Sequence, residues 1–157
     1  MINRIFIHGL DSSSKGTKGV FFREKYPDMM IPTFTGDLQK RMIKLNGILS
    51  GKSDIRIVGS SFGGLMATLF ALENGSQVKR AILLAPAINM IKFASHKKGR
   101  VSAPVRIYHG RGDDVIPLAE IDPIAREIFT DLSFTIVDDD HFLHKTFKDL
   151  DWDTLLA

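Results

Sequence analysis

The stretch "RIVGSSFGGLMATLF", residues 56–70, joins a strand-like run to a helix-like run through a turn that is crowded with glycine. The apolar residues before Gly59 are rich in β-branched side chains, which is typical of a buried strand. The residues from Phe62 onward are apolar almost all round, which predicts a helix that is buried on every side. Ser60 and Ser61 stand between the two runs, and small polar residues at such a junction require an explanation.

Ser61 lies at the centre of the pattern G-x-S-x-G, with Gly59 and Gly63 two positions away on either side. In a nucleophile elbow the central serine occupies a strained turn between a strand and a helix, which exposes its hydroxyl. Larger side chains at the two glycine positions would collide with the adjacent strand and helix. The following helix would direct the positive end of its dipole at the serine, which suits a developing oxyanion. The pattern therefore predicts a nucleophile at Ser61; a turn selected only for tight packing is the alternative interpretation.

The rest of the chain alternates between short apolar runs and longer helix-like stretches. The apolar runs are contiguous, which indicates strands that are buried on both faces of a parallel sheet. About six strands are predicted, at 4–8, 29–32, 55–59, 81–85, 105–109 and 134–138. Helices are predicted at 17–26, 37–49, 62–74, 118–129 and 142–156. This order predicts an α/β fold, a three-layer α/β/α sandwich with a mainly parallel sheet, formed as a single domain over residues 1–157.

Composition restricts the classes of protein to which the chain can belong. It has 157 residues, of which 44% are hydrophobic and 25% charged, as in an ordinary globular domain. The absence of cysteine excludes disulfides, thiolate nucleophiles and cysteine metal sites. The apolar stretch 81–88 is too short to span a bilayer, and the N-terminus lacks the length and cleavage site of a signal peptide. We therefore expect a cytoplasmic protein without membrane insertion, whose oligomeric state does not follow from the sequence.

Charge is unevenly distributed along the chain. The formal net charge is +3, which does not by itself indicate nucleic-acid binding. Basic residues gather in the run from Lys92 to Arg100, and aspartates gather towards the C-terminal end. No nucleic-acid-binding motif accompanies the basic run, so a nucleic-acid partner is not expected. The run is either a solvated face or a surface that attracts anionic substrates.

Polar and titratable residues follow several of the predicted strands, and ligands of such sheets bind beyond the carboxyl ends of the strands. A serine nucleophile needs a base, and the base needs an orienting acid. In this architecture the acid and then the base follow the serine along the chain, each after a strand. Asp113 in "HGRGDDVIP" is the predicted acid, and His141 after "FTIVDDD" is the predicted general base. Asp139 and Asp140 are expected to favour the imidazolium form of this base.

Other residues compete for the same roles. Asp114 is the alternative acid, unless it caps the helix that follows. His144 competes with His141, but it lies one turn further into the predicted C-terminal helix. His8 and His109 each precede a glycine directly after a strand, and we expect them to shape their loops through hydrogen bonds rather than to act as bases.

An oxyanion hole needs two backbone donors that face the position of the developing charge. The first should be the N–H of Phe62, the residue after the nucleophile. The second should come from the loop after the first strand, where the N–H of Leu10 in "HGLDSSS" is the best candidate. Gly9 would let this backbone turn close to the site.

Four segments, "RIFIHGLDSS", "RIVGSSFGG", "VRIYHGRGDDVIP" and "DDDHFL", stand in the order and spacing of the α/β-hydrolase superfamily, which the chain resembles over nearly its whole length. Within it, the chain resembles the very small bacterial YqiA-like esterases. The resemblance implies a serine hydrolase fold, the triad Ser61, Asp113 and His141, and hydrolysis of carboxylic esters. The chain departs from larger members because it has no room for their first two strands and, over residues 85–104, none for a lid domain. An open site with weak acyl selectivity is therefore expected.

The predicted function is that of a serine esterase on short-chain or small-molecule esters, without a cofactor or metal. A thioesterase and a catalytically silent binding module with the same fold are the alternatives. A phosphate-binding loop is disfavoured because Ser14 replaces the second glycine that the P-loop pattern requires. A metal site formed by residues 138–141 and His144 is disfavoured because three consecutive residues cannot easily face one ion.

Overall fold

The structure is a computed structural model, and it describes residues 1–93 and 99–157. Within these residues one parallel sheet is formed by β1 (Asn3–Ile7), β2 (Ile55–Ser60), β3 (Val78–Leu84), β4 (Val105–Gly110) and β5 (Leu132–Val137). The strands follow one another across the sheet in chain order. The α-helices are α1 (Thr17–Lys25), α2 (Leu38–Leu49), α3 (Phe62–Glu73), α4 (Leu118–Ile128) and α5 (Trp152–Leu155). The predicted α/β fold with a parallel sheet is confirmed.

Both faces of the sheet are covered, which explains the contiguous apolar runs in the sequence. One face packs against α2, α3 and α4, and the other packs against α1 and the C-terminal segment. Ile57 and Val58 are consecutive in β2, yet both are fully buried and belong to opposite faces. Every residue of α3 from Phe62 to Ala71 is also buried, as its apolar sequence predicted. Removal of this apolar surface from water is the main contribution to the stability of the fold.

The sequence predicts a strand over residues 29–32, but this segment does not form a full strand. The segment forms only an isolated parallel bridge between Met30 and Ile5, at the edge of β1. In a parallel ladder the next bond would come from the N–H two residues after Met30, but that residue is Pro32. Because proline has no N–H, the ladder stops, and the sheet formed by the described residues has five strands where about six are predicted.

The predicted helix over 142–156 is also wrong. A loop, one turn of 3₁₀ helix and the short helix α5 stand in its place. Leu143 has a φ of 54°, which is outside the helical region. The carboxylate of Asp139 accepts hydrogen bonds from the N–H groups of Lys145 and Thr146, at 3.0 and 2.8 Å. These side-chain bonds replace the bonds that a continuous helix would have formed.

Three arginines anchor the C-terminal segment at the amino end of the sheet, opposite the edge where the predicted site lies. Arg4, Arg56 and Arg80 lie side by side on β1, β2 and β3. Arg4 Nε donates to the carbonyl of Leu156 at 3.1 Å, and Arg56 Nε donates to the backbone oxygen of Ala157 at 2.9 Å. These bonds satisfy carbonyl groups that the end of α5 leaves without helical partners.

The interval between β3 and β4, residues 85–104, is short. It contains a 3₁₀ helix (Ile88–Phe93), and residues 94–98 lie outside the described residues. The middle of the basic run from Lys92 to Arg100 therefore lies outside them too. Residues 85–93 and 99–104 contain no lid domain. No helix of the described ranges is both long enough and apolar enough to cross a bilayer.

Candidate active site

Ser61 occupies the sharp turn between β2 and α3, with a φ of 55° and a ψ of −116°. Few non-glycine residues adopt this conformation, and its cost is typical of functional turns. A Cβ atom on Gly59 would lie 2.5 Å from the carbonyl oxygen of Gly63, at the start of α3. A Cβ atom on Gly63 would lie 2.0 Å from the carbonyl oxygen of Ile7 in β1. The prediction that larger residues at these two positions would collide with helix and strand is confirmed.

A continuous chain of hydrogen bonds joins Ser61, His141 and Asp113. His141 Nε2 lies 3.1 Å from Ser61 Oγ, and His141 Nδ1 lies 2.7 Å from Asp113 Oδ2. The Asp113 side chain is fully buried, and that of His141 is 8% exposed. Because the carboxylate accepts, Nδ1 carries the proton of the neutral ring and Nε2 is left to accept the serine proton. The structure thus brings together the three side chains that the sequence selected, with Nε2 of the imidazole beside the serine hydroxyl and Nδ1 beside the carboxylate.

The carboxylate of Asp113 is held from every side. Oδ1 accepts the N–H groups of Val115 and Ile116 at 2.9 and 2.8 Å. Oδ2, which faces His141, also lies 3.3 Å from His109 Nε2. These donors fix the orientation of the carboxylate. The alternative acid, Asp114, has an exposed side chain and is not the residue that contacts the imidazole.

His109 supports the acid from the other side of the carboxylate. Its ring is fully buried, and its Nε2 donates to the carbonyl of Ile116 at 2.9 Å. Burial lowers the pKa of His109, so this ring is neutral at physiological pH. The ring therefore shapes the loop through hydrogen bonds, in the role that the sequence predicted for it.

The loops after β4 and β5 are bonded to each other, and this positions the acid beside the base. Arg111 N donates to Val137 O at 2.8 Å, and Gly112 N donates to Asp139 O at 3.1 Å. A Cβ atom on Gly110 would lie 2.4 Å from the same Asp139 carbonyl. Glycine at this position therefore permits the close approach of the two loops.

The loop after β1, which carries the second predicted oxyanion donor, lies against the serine turn. A Cβ atom on Gly9 would lie 3.5 Å from Ser61 Cβ, so the loop backbone lies directly against the elbow. Among the described residues, the N–H groups of Leu10 and Phe62 have no hydrogen-bond acceptor. Both are therefore available to an oxygen atom bound near the serine.

His8 fixes the peptide plane that carries the Leu10 N–H. Its Nε2 accepts from the N–H of Phe34 at 2.8 Å, so its Nδ1 must carry the proton and donate to Gly9 O at 2.7 Å. The Gly9 carbonyl and the Leu10 N–H belong to one planar peptide unit. A bond to the carbonyl therefore orients the N–H. Burial lowers the pKa of His8, which keeps it in the neutral form that these two bonds need.

Asp139 and Asp140, although close to His141 in sequence, form their hydrogen bonds with other groups. Asp140 contacts His144 Nδ1 at 2.5 Å, on the exposed side of the loop. Asp139 accepts N–H groups of its own loop. Burial alone would raise the pKa of Asp139, but these hydrogen bonds outweigh it and hold the pKa below its ordinary value. Asp139 is therefore a carboxylate that shapes the loop of the predicted base.

Asp139→Asn is expected to lower the free energy of unfolding by about 1–3 kcal/mol near neutral pH, because the amide has one accepting oxygen and cannot serve both the N–H of Asp140 and the N–H groups of Lys145 and Thr146. The folded state lowers the pKa of Asp139, so its contribution is complete above the unfolded pKa of about 3.9 and is lost as the pH falls through the folded pKa. Urea unfolding at about pH 7 and about pH 3 measures this, and the deficit of the variant should shrink at the lower pH. The neighbouring Asp138→Asn, at an exposed position, is the control; an equal deficit at both pH values would contradict the prediction.

Two residues beside the site were not found from the sequence. Lys18 Nζ donates to the carbonyl of Phe142 at 2.8 Å, which ties α1 to the loop of the predicted base. Arg41 is buried beside the loop after β1. A signal for it was present, since it shares one helical stripe with the buried Leu45 and Leu49, at spacings of four residues.

Asp140 pairs with His144, His141 faces Asp113, and Asp139 accepts N–H groups of its own loop. Among the described residues, no group of three or more histidine, aspartate or glutamate side chains is arranged to hold a metal ion.

The chain matches one protein family and is similar in fold to several solved structures. A family model described as "Uncharacterised protein family (UPF0227)" matches residues 3–111, and no curated protein matches the chain. Alpha/beta hydrolase domain-containing protein 10 from mouse is similar at 22% identity and a TM-score of 0.75, over 89% of this chain and 82% of that one. Est1E from Butyrivibrio proteoclasticus is similar at 17% identity and a TM-score of 0.78, over 99% and 86%. An alpha-beta serine hydrolase homologue from Coxiella burnetii is similar at 17% identity and a TM-score of 0.74, over 99% and 83%. These likenesses confirm the predicted α/β-hydrolase fold.

Proposed function

Because the chain belongs to the uncharacterised protein family UPF0227 and has the α/β-hydrolase fold, we propose that it is a serine hydrolase that cleaves carboxylic esters through an acyl-enzyme at Ser61. The observation that carries the proposal is the hydrogen-bonded chain from Ser61 through His141 to Asp113, with the serine at a strained turn. A structural serine would need neither the strain nor a histidine held in the accepting tautomer.

The proposed mechanism follows from these positions. Ser61 Oγ attacks the ester carbonyl while His141 Nε2 takes its proton, and Asp113 stabilises the imidazolium that results. The negative charge that forms on the carbonyl oxygen is stabilised by the N–H groups of Leu10 and Phe62. The C–O bond to the alcohol breaks, and the imidazolium protonates the departing oxygen. Water, deprotonated by the same ring, then attacks the acyl-enzyme, and its collapse releases the carboxylic acid and restores the serine.

The surroundings of the serine favour a small acyl group. The side chains of Leu10 and Phe142 are 49% and 58% exposed, and each is adjacent in sequence to a residue that contacts the elbow. They offer apolar contact at the rim without enclosing a long chain. Est1E was solved with ferulic acid bound, which is a small carboxylic acid. This chain resembles Est1E in fold, and the shared fold is the basis on which a small carboxylic acid is proposed as a product.

Hydrolysis of p-nitrophenyl esters from acetate to palmitate tests the proposal, together with labelling of Ser61 by a fluorophosphonate read out by peptide mass. We expect turnover that is highest for the short esters and labelling confined to the Ser61 peptide. Labelling with turnover of acyl thioesters alone would make the protein a thioesterase. If Ser61 is not labelled and neither class of ester is turned over, a catalytically silent binding module becomes the favoured function.

A further inference from the structure

Arg41 is a buried positive charge that forms no ion pair within the described residues. The residue is only 5% exposed, and among those residues its Nη1 has no hydrogen-bond partner. Its other hydrogen bonds go to uncharged carbonyl oxygens, since Nε donates to Gly36 O at 2.8 Å and Nη2 donates to Leu10 O at 3.2 Å. A guanidinium remains charged in proteins, and an unpaired buried charge is costly. Burial lowers the pKa of Arg41, and the negative charge of Asp11 opposes this shift without cancelling it, so the charge is kept at a cost.

The guanidinium contacts both residues that carry the proposed oxyanion donors. Its Nη2 bonds the carbonyl of Leu10, and its Cζ lies 5.4 Å from the centre of the Phe62 ring, in a cation–π contact. Leu10 lies in the loop after β1 and Phe62 is the first residue of α3, so the two are far apart in sequence. Arg41, from α2, therefore contacts both residues that carry the donors, through the Leu10 carbonyl and the Phe62 ring.

We propose that Arg41 is a positioning residue of the oxyanion hole, which fixes the Leu10 and Phe62 donors and adds a positive field where negative charge develops on the substrate. The proposal rests on the proposed function. The carbonyl oxygen of the ester carries little charge in the ground state and a full charge in the tetrahedral intermediate. A fixed positive charge in a poorly solvated site therefore stabilises the transition state more than the bound substrate. Its loss should lower kcat and leave KM nearly unchanged.

The test compares Arg41→Met, Arg41→Lys and Lys44→Met on one short p-nitrophenyl ester. Arg41→Met keeps an unbranched, flexible stem and removes the guanidinium with its charge, and we expect kcat to fall about 10- to 100-fold with KM changed by less than about twofold. Its thermal unfolding temperature should change little, because the loss of the hydrogen bonds to Gly36 and Leu10 offsets the gain from removing a buried charge. Arg41→Lys restores the charge without the fork of donors, so it should recover part of kcat.

Lys44→Met is the matched control on the same helix. Lys44 Nζ donates to Thr33 O at 2.6 Å and lies over the Phe34 ring, so the variant removes one positive charge near the site but not at the donors. We expect its kcat to stay within about twofold of the wild type. An equal fall in both variants would overturn the assignment, because it would indicate a general effect of net charge.

A trifluoromethyl ketone inhibitor provides a readout that a merely structural role would not move. The serine oxygen adds to its carbonyl carbon and forms a tetrahedral adduct that carries the oxyanion. Its affinity should fall in Arg41→Met by the same factor as kcat, while the affinity for a neutral product alcohol stays unchanged. The role of Arg41 would be overturned if Arg41→Met had the wild-type kcat, or if it lost kcat with unchanged inhibitor affinity. Either result would leave the proposed function standing. A wild-type protein that is inert and is not labelled at Ser61 would overturn the proposed function and this role with it.

Discussion

Ser61→Ala is expected to abolish ester hydrolysis, with a fall in kcat/KM of about 10⁴-fold or more. The variant removes one oxygen atom, whose hydrogen bond in the structure is to His141 Nε2. The Cβ atom and the backbone at φ 55° remain, so the elbow and the free N–H groups stay in place. The residual rate would then come from water alone, aided by the oxyanion donors. Initial rates with p-nitrophenyl acetate, compared with wild type at equal protein concentration, measure the effect.

Ser60→Ala is the matched control for this prediction. Ser60 is the last residue of β2, so the same atom is removed one position away from the centre of the elbow. We expect its kcat/KM to stay within about twofold of the wild type, and its unfolding temperature to match that of Ser61→Ala. Full activity in Ser61→Ala would show that this serine is not the nucleophile. Equal loss in both variants would point to damage of the turn rather than to loss of a reacting group.

The elbow could be predicted from the sequence because its determinants are local. Gly59, Ser61 and Gly63 lie within five consecutive positions, and the pattern can be recognised from them alone, although the Cβ clash at Gly63 is with Ile7 of the neighbouring strand β1. The order of acid and base along the chain follows from the sheet, since each residue comes directly after a strand whose apolar run is easy to recognise. The order of residues along the chain therefore helps to predict which side chains meet at the carboxyl edge of a parallel sheet.

Orientation of side chains could not be predicted in the same way. Asp139 and Asp140 are adjacent to His141 in sequence, yet one accepts N–H groups of its own loop and the other contacts His144. The carboxylate that does face the imidazole comes from Asp113, which is 28 positions away. Proximity along the chain is therefore a poor guide to electrostatic partners in a loop, because consecutive side chains point in different directions.

Long-range contacts explain the other features that the sequence did not predict correctly. The role inferred for Arg41 depends on the position of α2 against two loops, and periodicity reveals only that a charge lies on the buried stripe. The segment 29–32 has the composition of a strand, but Pro32 ends its ladder after one bridge. The predicted C-terminal helix does not form, because the Asp139 carboxylate accepts N–H groups that the helix would have used. Helix propensity describes single residues and does not include this competition.

Asp113→Asn is expected to lower kcat by about 10⁴-fold while the protein stays folded. The backbone N–H groups of Val115 and Ile116 need an acceptor, and they hold the amide oxygen at the position of Oδ1. The amide NH₂ group must then occupy the position of Oδ2, where it faces His141 Nδ1. It can only donate, so the imidazole is forced to carry its proton on Nε2. A ring in that tautomer cannot accept the proton of Ser61, and the general base is lost.

Asp114→Asn makes the same chemical change at the adjacent, exposed position and should retain kcat within about twofold. Initial rates and thermal unfolding of both variants, measured beside the wild type, separate catalysis from stability. The NH₂ group introduced by Asp113→Asn would also oppose the Nε2–H of His109, so a modest fall in unfolding temperature is expected for this variant alone. The fluorophosphonate should label its Ser61 far more slowly, because the hydroxyl remains but no base accepts its proton. Rapid labelling together with near-normal turnover in Asp113→Asn, and loss of both in Asp114→Asn, would instead identify Asp114 as the acid.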